Sequence, residues 1–164
     1  MSSSPDTSQS LSLYRAAISS PATDSRTKAA CLAKICSVLD NDPAIRSFDT
    51  TRPKNKRTVT SLQLWRLLVD RATAYKDTAE SWRQLGDAQS AIFNAERSVV
   101  LFESMLEANA GEGIGRAERV GAIDTLLLAL GDWIVLEQSA GRRNKAEKLL
   151  PQRVEKWMKQ RDAI

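Results

Sequence analysis

Apolar residues recur every three or four positions through most of this chain, and nowhere do they alternate at period two between turn residues. Spacings of three and four line one face of an α-helix, whereas a half-buried strand needs strict alternation. The fold class that follows is all-α. Leu11, Leu13, Tyr14, Ala17 and Ile18 form a first short stripe. Ser19-Ser20-Pro21 closes it, because proline keeps its predecessor out of the helical region. Ala29, Leu32, Ile35, Cys36 and Leu39 form a second stripe, capped by Asp24 or Ser25 and stopped at Asp40-Asn41-Asp42-Pro43. A third starts near Ser61 with Leu64, Leu68, Arg71, Ala72 and Tyr75, with Trp65 beside it. Asp77 or Thr78 caps a fourth, carrying Trp82, Leu85, Ala88, Gln89 and Ile92, and Asn94 caps a fifth with Val99, Phe102 and Leu106. After a glycine-rich break at 110–115, the longest helix spans roughly Arg116 to Gln138. A last one runs from about Asn144, where Pro151 either kinks it or moves its start nearer residue 150. About seven helices joined by short breaks make antiparallel hairpins.

A chain of 164 residues suits one domain. Residues 1–9, rich in Ser, Thr and Asp with one proline, read as a disordered tail, and 10–164 as a single helical domain. Within it, 46–60 loses periodicity and carries a basic loop. Met1 to Asp6 has neither the basic start nor the apolar run of a secretory leader. The longest apolar run, Leu126 to Leu130, is five residues, against the roughly 18 of a membrane span. The expectation is a soluble intracellular protein, cytoplasmic, with a nuclear location open through the basic loop. Cys31 and Cys36 have the spacing of neither a redox pair nor a zinc knuckle, and read as two reduced, mostly buried thiols.

The chain has no histidine. That excludes Ser-His-Asp and Cys-His nucleophile pairs, His-ligated zinc and an imidazole pH switch. No catalytic residues, no cofactor and no metal site are expected. The net charge of +4 conceals a strong segregation of charge along the chain. Residues 44–60 carry five basic and one acidic residue, 61–141 seven basic and twelve acidic, and 142–164 eight basic and three acidic.

Those segments supply the candidate binding residues. Arg52, Lys54, Lys56 and Arg57 could contact phosphates or an acidic protein surface. So could the C-terminal set, which includes Arg142, Arg143, Lys145 and Lys148. Glu96, Glu103 and Glu107 share one helix face and could line a groove for a basic peptide. Each set also has a plain alternative, a solvated face. Gly111-Glu112-Gly113-Ile114-Gly115 follows a helix rather than a strand and lacks the Lys-Ser/Thr of a phosphate loop, so it reads as a linker.

Residues 79–111 resemble a tetratricopeptide repeat. Trp82, Leu85 and Gly86 match its opening residues, and Phe102, Met105 and Leu106 fall at its packing positions. A weaker copy covers 124–157, with Leu127, Leu130 and Gly131 at the opening and Gly141 at the inter-helix turn. Phe93, Gln89, Ser98 and Ala110 depart from the pattern. The resemblance implies stacked hairpins with a concave binding surface; an irregular helical bundle is the other architecture the residues allow. The function expected is a non-catalytic interaction or adaptor module that binds another protein or peptide segment, with self-association or docking to a larger assembly completing the stack. The alternative is a nucleic-acid-associated helical protein using segments 52–57 and 142–161. No membrane partner is expected.

Overall fold

The computed structural model describes residues 5–164, and the side chains from Ser8 onward. Seven α-helices account for about three quarters of these residues: α1 (Pro5–Ser19), α2 (Ser25–Asp40), α3 (Pro43–Thr50), α4 (Leu62–Gln84), α5 (Ala88–Glu107), α6 (Arg116–Ser139) and α7 (Leu150–Ala163). The fold class is the all-α one that the periodicity predicts. The expected tail is corrected in part: residues 1–4 lie outside the described residues, and from Pro5 the chain is helical. Leu11 is buried, so α1 belongs to the domain.

Each long helix packs against the one before it and the one after it: α1 on α2, α2 on α4, α4 on α5, α5 on α6 and α6 on α7. The core is one continuous cluster running from Leu11 through Phe48, Trp65, Phe102 and Trp133 to Trp157. Burial of such a row is the main favourable contribution to its stability.

Four boundaries differ from the expectation. Asp42 and Pro43 begin a helix as well as end one: Asp42 accepts a hydrogen bond from Ala44 N at 3.0 Å and Pro43 opens α3. That is the ordinary arrangement of a side-chain N-cap followed by proline, whose missing N–H costs nothing in the first turn. Thr78 does not start a helix. It lies inside α4, where its hydroxyl donates back to Ala74 O at 2.7 Å. Asn94 is likewise interior to α5, with Nδ2 donating to Ser90 O at 2.8 Å. The break between α4 and α5 falls instead at Leu85–Asp87. There Gly86 adopts φ +80° and Asp87 caps α5 through Ser90 N at 3.0 Å.

The α4–α5 and α6–α7 connections share one geometry. Asp87 N reaches Trp82 O at 3.0 Å and Gly86 N reaches Arg83 O at 3.1 Å. In the second turn Arg142 N reaches Glu137 O at 2.9 Å and Gly141 N reaches Gln138 O at 3.0 Å, with Gly141 at φ +78°. Both are left-handed glycine C-caps. Five residues beyond each glycine stands a buried alanine, Ala91 or Ala146, and eleven further on a buried aromatic, Phe102 or Trp157. The two hairpins are therefore equivalent at an offset of 55 residues. Within residues 79–111 the turn is at Gly86, which the resemblance places among the opening residues of a helix, while the turn expected at Gly141 is where the structure has it.

The start of the last helix is π-wound over Lys145–Leu149 before α7 proper. Pro151 has no N–H to offer Glu147 O, and its ring would crowd that carbonyl. A widened turn places Leu150 N on Lys145 O instead.

Between α3 and α4 a short loop pairs with the α5–α6 connection. Thr58–Val59 (β1) and Asn109–Ala110 (β2) form a two-residue parallel bridge, too short to leave a periodic signature in sequence.

Candidate functional site

The charged segments expected to stand apart are largely folded against one another. Arg57 is buried beneath the loop that carries it. Its guanidinium donates to Thr51 O at 3.2 Å, to Ser104 Oγ at 3.2 Å and to Asp49 O, and it lies 5.5 Å from the centre of the Phe48 ring. Burial pushes its pKa down, the charges of Arg52 and Arg71 adding to the effect. Arg57 is thus a loop-fixing residue, a correction to its place among partner-binding cations. Arg52 also donates inward, to Asp49 O at 2.7 Å, though it remains exposed. Lys54 and Lys56 are exposed.

Glu103 and Glu107 line a cleft of about 400 Å³ between α5 and the basic loop, beside Lys54, Arg57, Val100 and Ser104, but both carboxylates are already paired within the chain. Glu103 takes the guanidinium of Arg153 and accepts from Trp157 Nε1 at 2.8 Å, and Glu107 pairs with Lys156 at 2.9 Å. Glu96 is exposed on α5, away from that network. Arg142 and Lys145 approach the wholly buried carboxylate of Glu137, at 3.5 and 3.6 Å, and Trp133 Nε1 donates to it at 2.9 Å. Lys145 and Arg153 both lie over the Trp133 ring, 4.8 and 5.3 Å from its centre, within cation–π range. Arg143 and Lys148 are exposed. So a basic C-terminal helix sits on acidic central helices within one chain, and a sum of segment charges has no means of showing it.

Two clefts open between helices two apart in the packing order. One, of about 230 Å³, lies between α4 and α6 over α5. Ala79, Ala95, Ala129 and Leu136 make its apolar floor; Lys76, Glu80, Arg83 and Asp132 make its rim, and Val135 stands 54% exposed at its edge. Three alanines keep the helices close yet leave the space above them unfilled. The rim charges are matched across and along the cleft: Lys76 to Asp132 at 3.4 Å, Arg83 to Glu80 at 2.6 Å. The Arg83 hydrogen bonds hold the Glu80 carboxyl below its ordinary pKa.

The other cleft, of about 420 Å³, lies between α1 and α4 over α2. Arg15 and Asp70 bridge it at 3.3 Å, and Ile18, Leu32 and Ile35 line it. Asp77 borders it too, its pKa raised by desolvation. Asp77 and Asp132 are equivalent positions of the two hairpins, both on cleft rims. None of these rim residues belongs to a recognisable motif, because a cleft between sequence-distant helices leaves no local pattern.

Among the described residues no three Cys, Asp or Glu side chains converge as metal ligands, and no helix is long and apolar enough to cross a membrane. Cys31 and Cys36 are free thiols, half-buried and buried. No family model, curated protein or solved structure matches the chain.

Proposed function

We propose that the chain is a non-catalytic protein-interaction module, and that the α4–α6 cleft takes a segment of a partner protein. One observation carries the reading: an unfilled cleft over a floor of mostly small apolar side chains, inside a rim of paired charges. Such a surface suits a short helix or extended segment that offers apolar anchors to the floor and polar groups to the rim. The exposed Leu128 and Val135, two turns apart on one face of α6, extend the apolar strip beyond the cleft. Stacked hairpins present side chains from several helices to one ligand, and specificity then rests on those side chains rather than on a reacting group.

The test is site-specific crosslinking from position 135 in extract of the source cells, comparing wild type with Leu128→Glu. The substitution places a charge on the exposed apolar strip beside the cleft, where residue 128 is 64% exposed. A defined set of crosslinked proteins, lost in the variant while its melting temperature is kept, supports the proposal. The same set with both proteins, or no specific product with either, overturns it.

A further inference from the structure

The last helix is docked differently from the others. Over residues 145–163 only Ala146, Leu150 and Trp157 are buried, against ten side chains along α5. What surrounds those three is a set of ion pairs with one polarity. Lys145 pairs with Glu137 at 3.6 Å, Arg153 with Glu103, Lys156 with Glu107 at 2.9 Å and Arg161 with Asp124 at 2.5 Å. Every cation belongs to the C-terminal segment and every anion to α5 or α6.

The receiving face is also incompletely satisfied. Glu137 is 0% exposed, and its Oε2 accepts no hydrogen bond; Arg142 stands 3.5 Å away without making one. Trp133 Nε1 serves the other oxygen, Oε1, at 2.9 Å, and an Oε2 reached only at ion-pair distance leaves room for a better-placed donor. Lifting the helix returns Glu103 and Glu137 to water, and their rehydration offsets part of the lost contact.

We infer that the α5–α6 face bearing Glu103, Glu107, Asp124 and Glu137 is a binding site for a basic amphipathic helix with a tryptophan anchor, held by the chain's own α7 until a competing helix displaces it. The recognition chemistry is that of α7 itself: an aromatic on the apolar side, four residues beyond a cation that reaches Glu103, and further cations toward each end. This site is separate from the α4–α6 cleft and stands whether or not that cleft binds anything.

The probe is a fluorescent peptide of residues 144–163 added to the full chain and followed by anisotropy. Saturable binding is expected, weakening about tenfold or more as salt rises from low to high, since exposed ion pairs are screened. Replacing Lys156 and Arg161 by Ala loosens only the resident helix. Both side chains are more than two-fifths exposed, so the fold tolerates the change. The peptide should then bind several-fold more tightly, because the open fraction rises. Glu103→Gln with Glu107→Gln should bind it several-fold more weakly than wild type. Absence of saturable binding to both the wild type and the Lys156/Arg161 variant overturns the inference. So does α7 amide exchange as slow as that of α5 at every salt concentration.

Discussion

Arg71, 1% exposed in the middle of α4, holds Asp49 of α3 with both terminal guanidinium nitrogens, at 2.6 and 3.0 Å. Its Nη1 also lies 3.5 Å from Asp40 at the end of α2, and the Tyr75 hydroxyl donates to the other oxygen of that same carboxylate. One buried cation therefore ties three helices together. Its Nε has no partner, so the guanidinium depends on these carboxylates.

Removing Asp49 should cost more than removing the pair. Asp49→Ala leaves Arg71 buried with one distant carboxylate, and a loss of about 3 kcal/mol is expected. Arg71→Met combined with Asp49→Ala removes the charge along with its partner and should recover a good part of that loss. Urea unfolding midpoints of the three proteins decide it; equal losses in the single and double variants would contradict the account.

Alkaline pH should loosen the same region. Burial pushes the Cys36 thiol up from 9.0 to about 11, its hydrogen-bond contact to Thr78 opposing the shift. Tyr75 is raised above its ordinary value of 10.0, first by burial and then by Asp40. An acid with a raised folded pKa loses its proton first in the unfolded chain. Stability is therefore intact below about pH 9 and falls as the pH climbs toward 11. Two pKa units on Cys36 alone correspond to about 3 kcal/mol at full ionisation. Denaturation midpoints measured from pH 8 to 10.5 should fall, and Tyr75→Phe with Cys36→Ala should flatten the slope. An unchanged slope in that variant would place the titrating groups elsewhere.

The matched turns make a further prediction. Gly86 and Gly141 both sit near φ +80°, where a β-carbon meets no neighbour but the backbone itself is unfavourable for other residues. Ala at either position should cost about 1 kcal/mol, and Asn less, because Asn tolerates the left-handed region better. Thermal melts suffice. An alanine variant as stable as wild type at both sites would mean that the turns can be rebuilt without a left-handed residue.

The helices themselves are legible in the sequence because burial follows spacing: Ala29, Leu32, Ile35, Cys36 and Leu39 are all buried. Boundaries are less so, for a shared reason. Asp, Thr and Asn serve both as caps and as interior residues that bond back to their own helix. Thr78 and Asn94 do the second where their spacing predicts the first. The glycine after Leu85 is the better marker, since φ +80° is a constraint that few residues meet. Charge is legible by segment and not by partner. Nothing local in Glu103 or Arg153 announces that they meet, 50 residues apart. The cleft floor of Ala79, Ala95 and Ala129 is invisible for the same cause: small residues carry no motif, and three helices bring them together.

The loop bridge makes the sharpest demand on a single residue. Gly111 N donates to Val59 O at 2.8 Å, and a β-carbon built on Gly111 would stand 2.8 Å from that oxygen and 3.1 Å from Thr60 O. Both obstacles are backbone atoms, so no side-chain rotation relieves them. Gly111→Ala must push β2 off β1, where Asn109 N also bonds to Arg57 O at 2.9 Å. The loop that seats Arg57 under Phe48 would shift with it, and a loss of about 1–3 kcal/mol is expected. Gly121→Ala is the control: it lies inside α6 with open space around the new carbon and should gain up to about 1 kcal/mol. Hydrogen exchange separates local from global effects. Gly111→Ala should speed exchange at Asn109 and Gly111 more than in the core of α4. Uniform acceleration along the chain would mean that the bridge opens only with the whole fold.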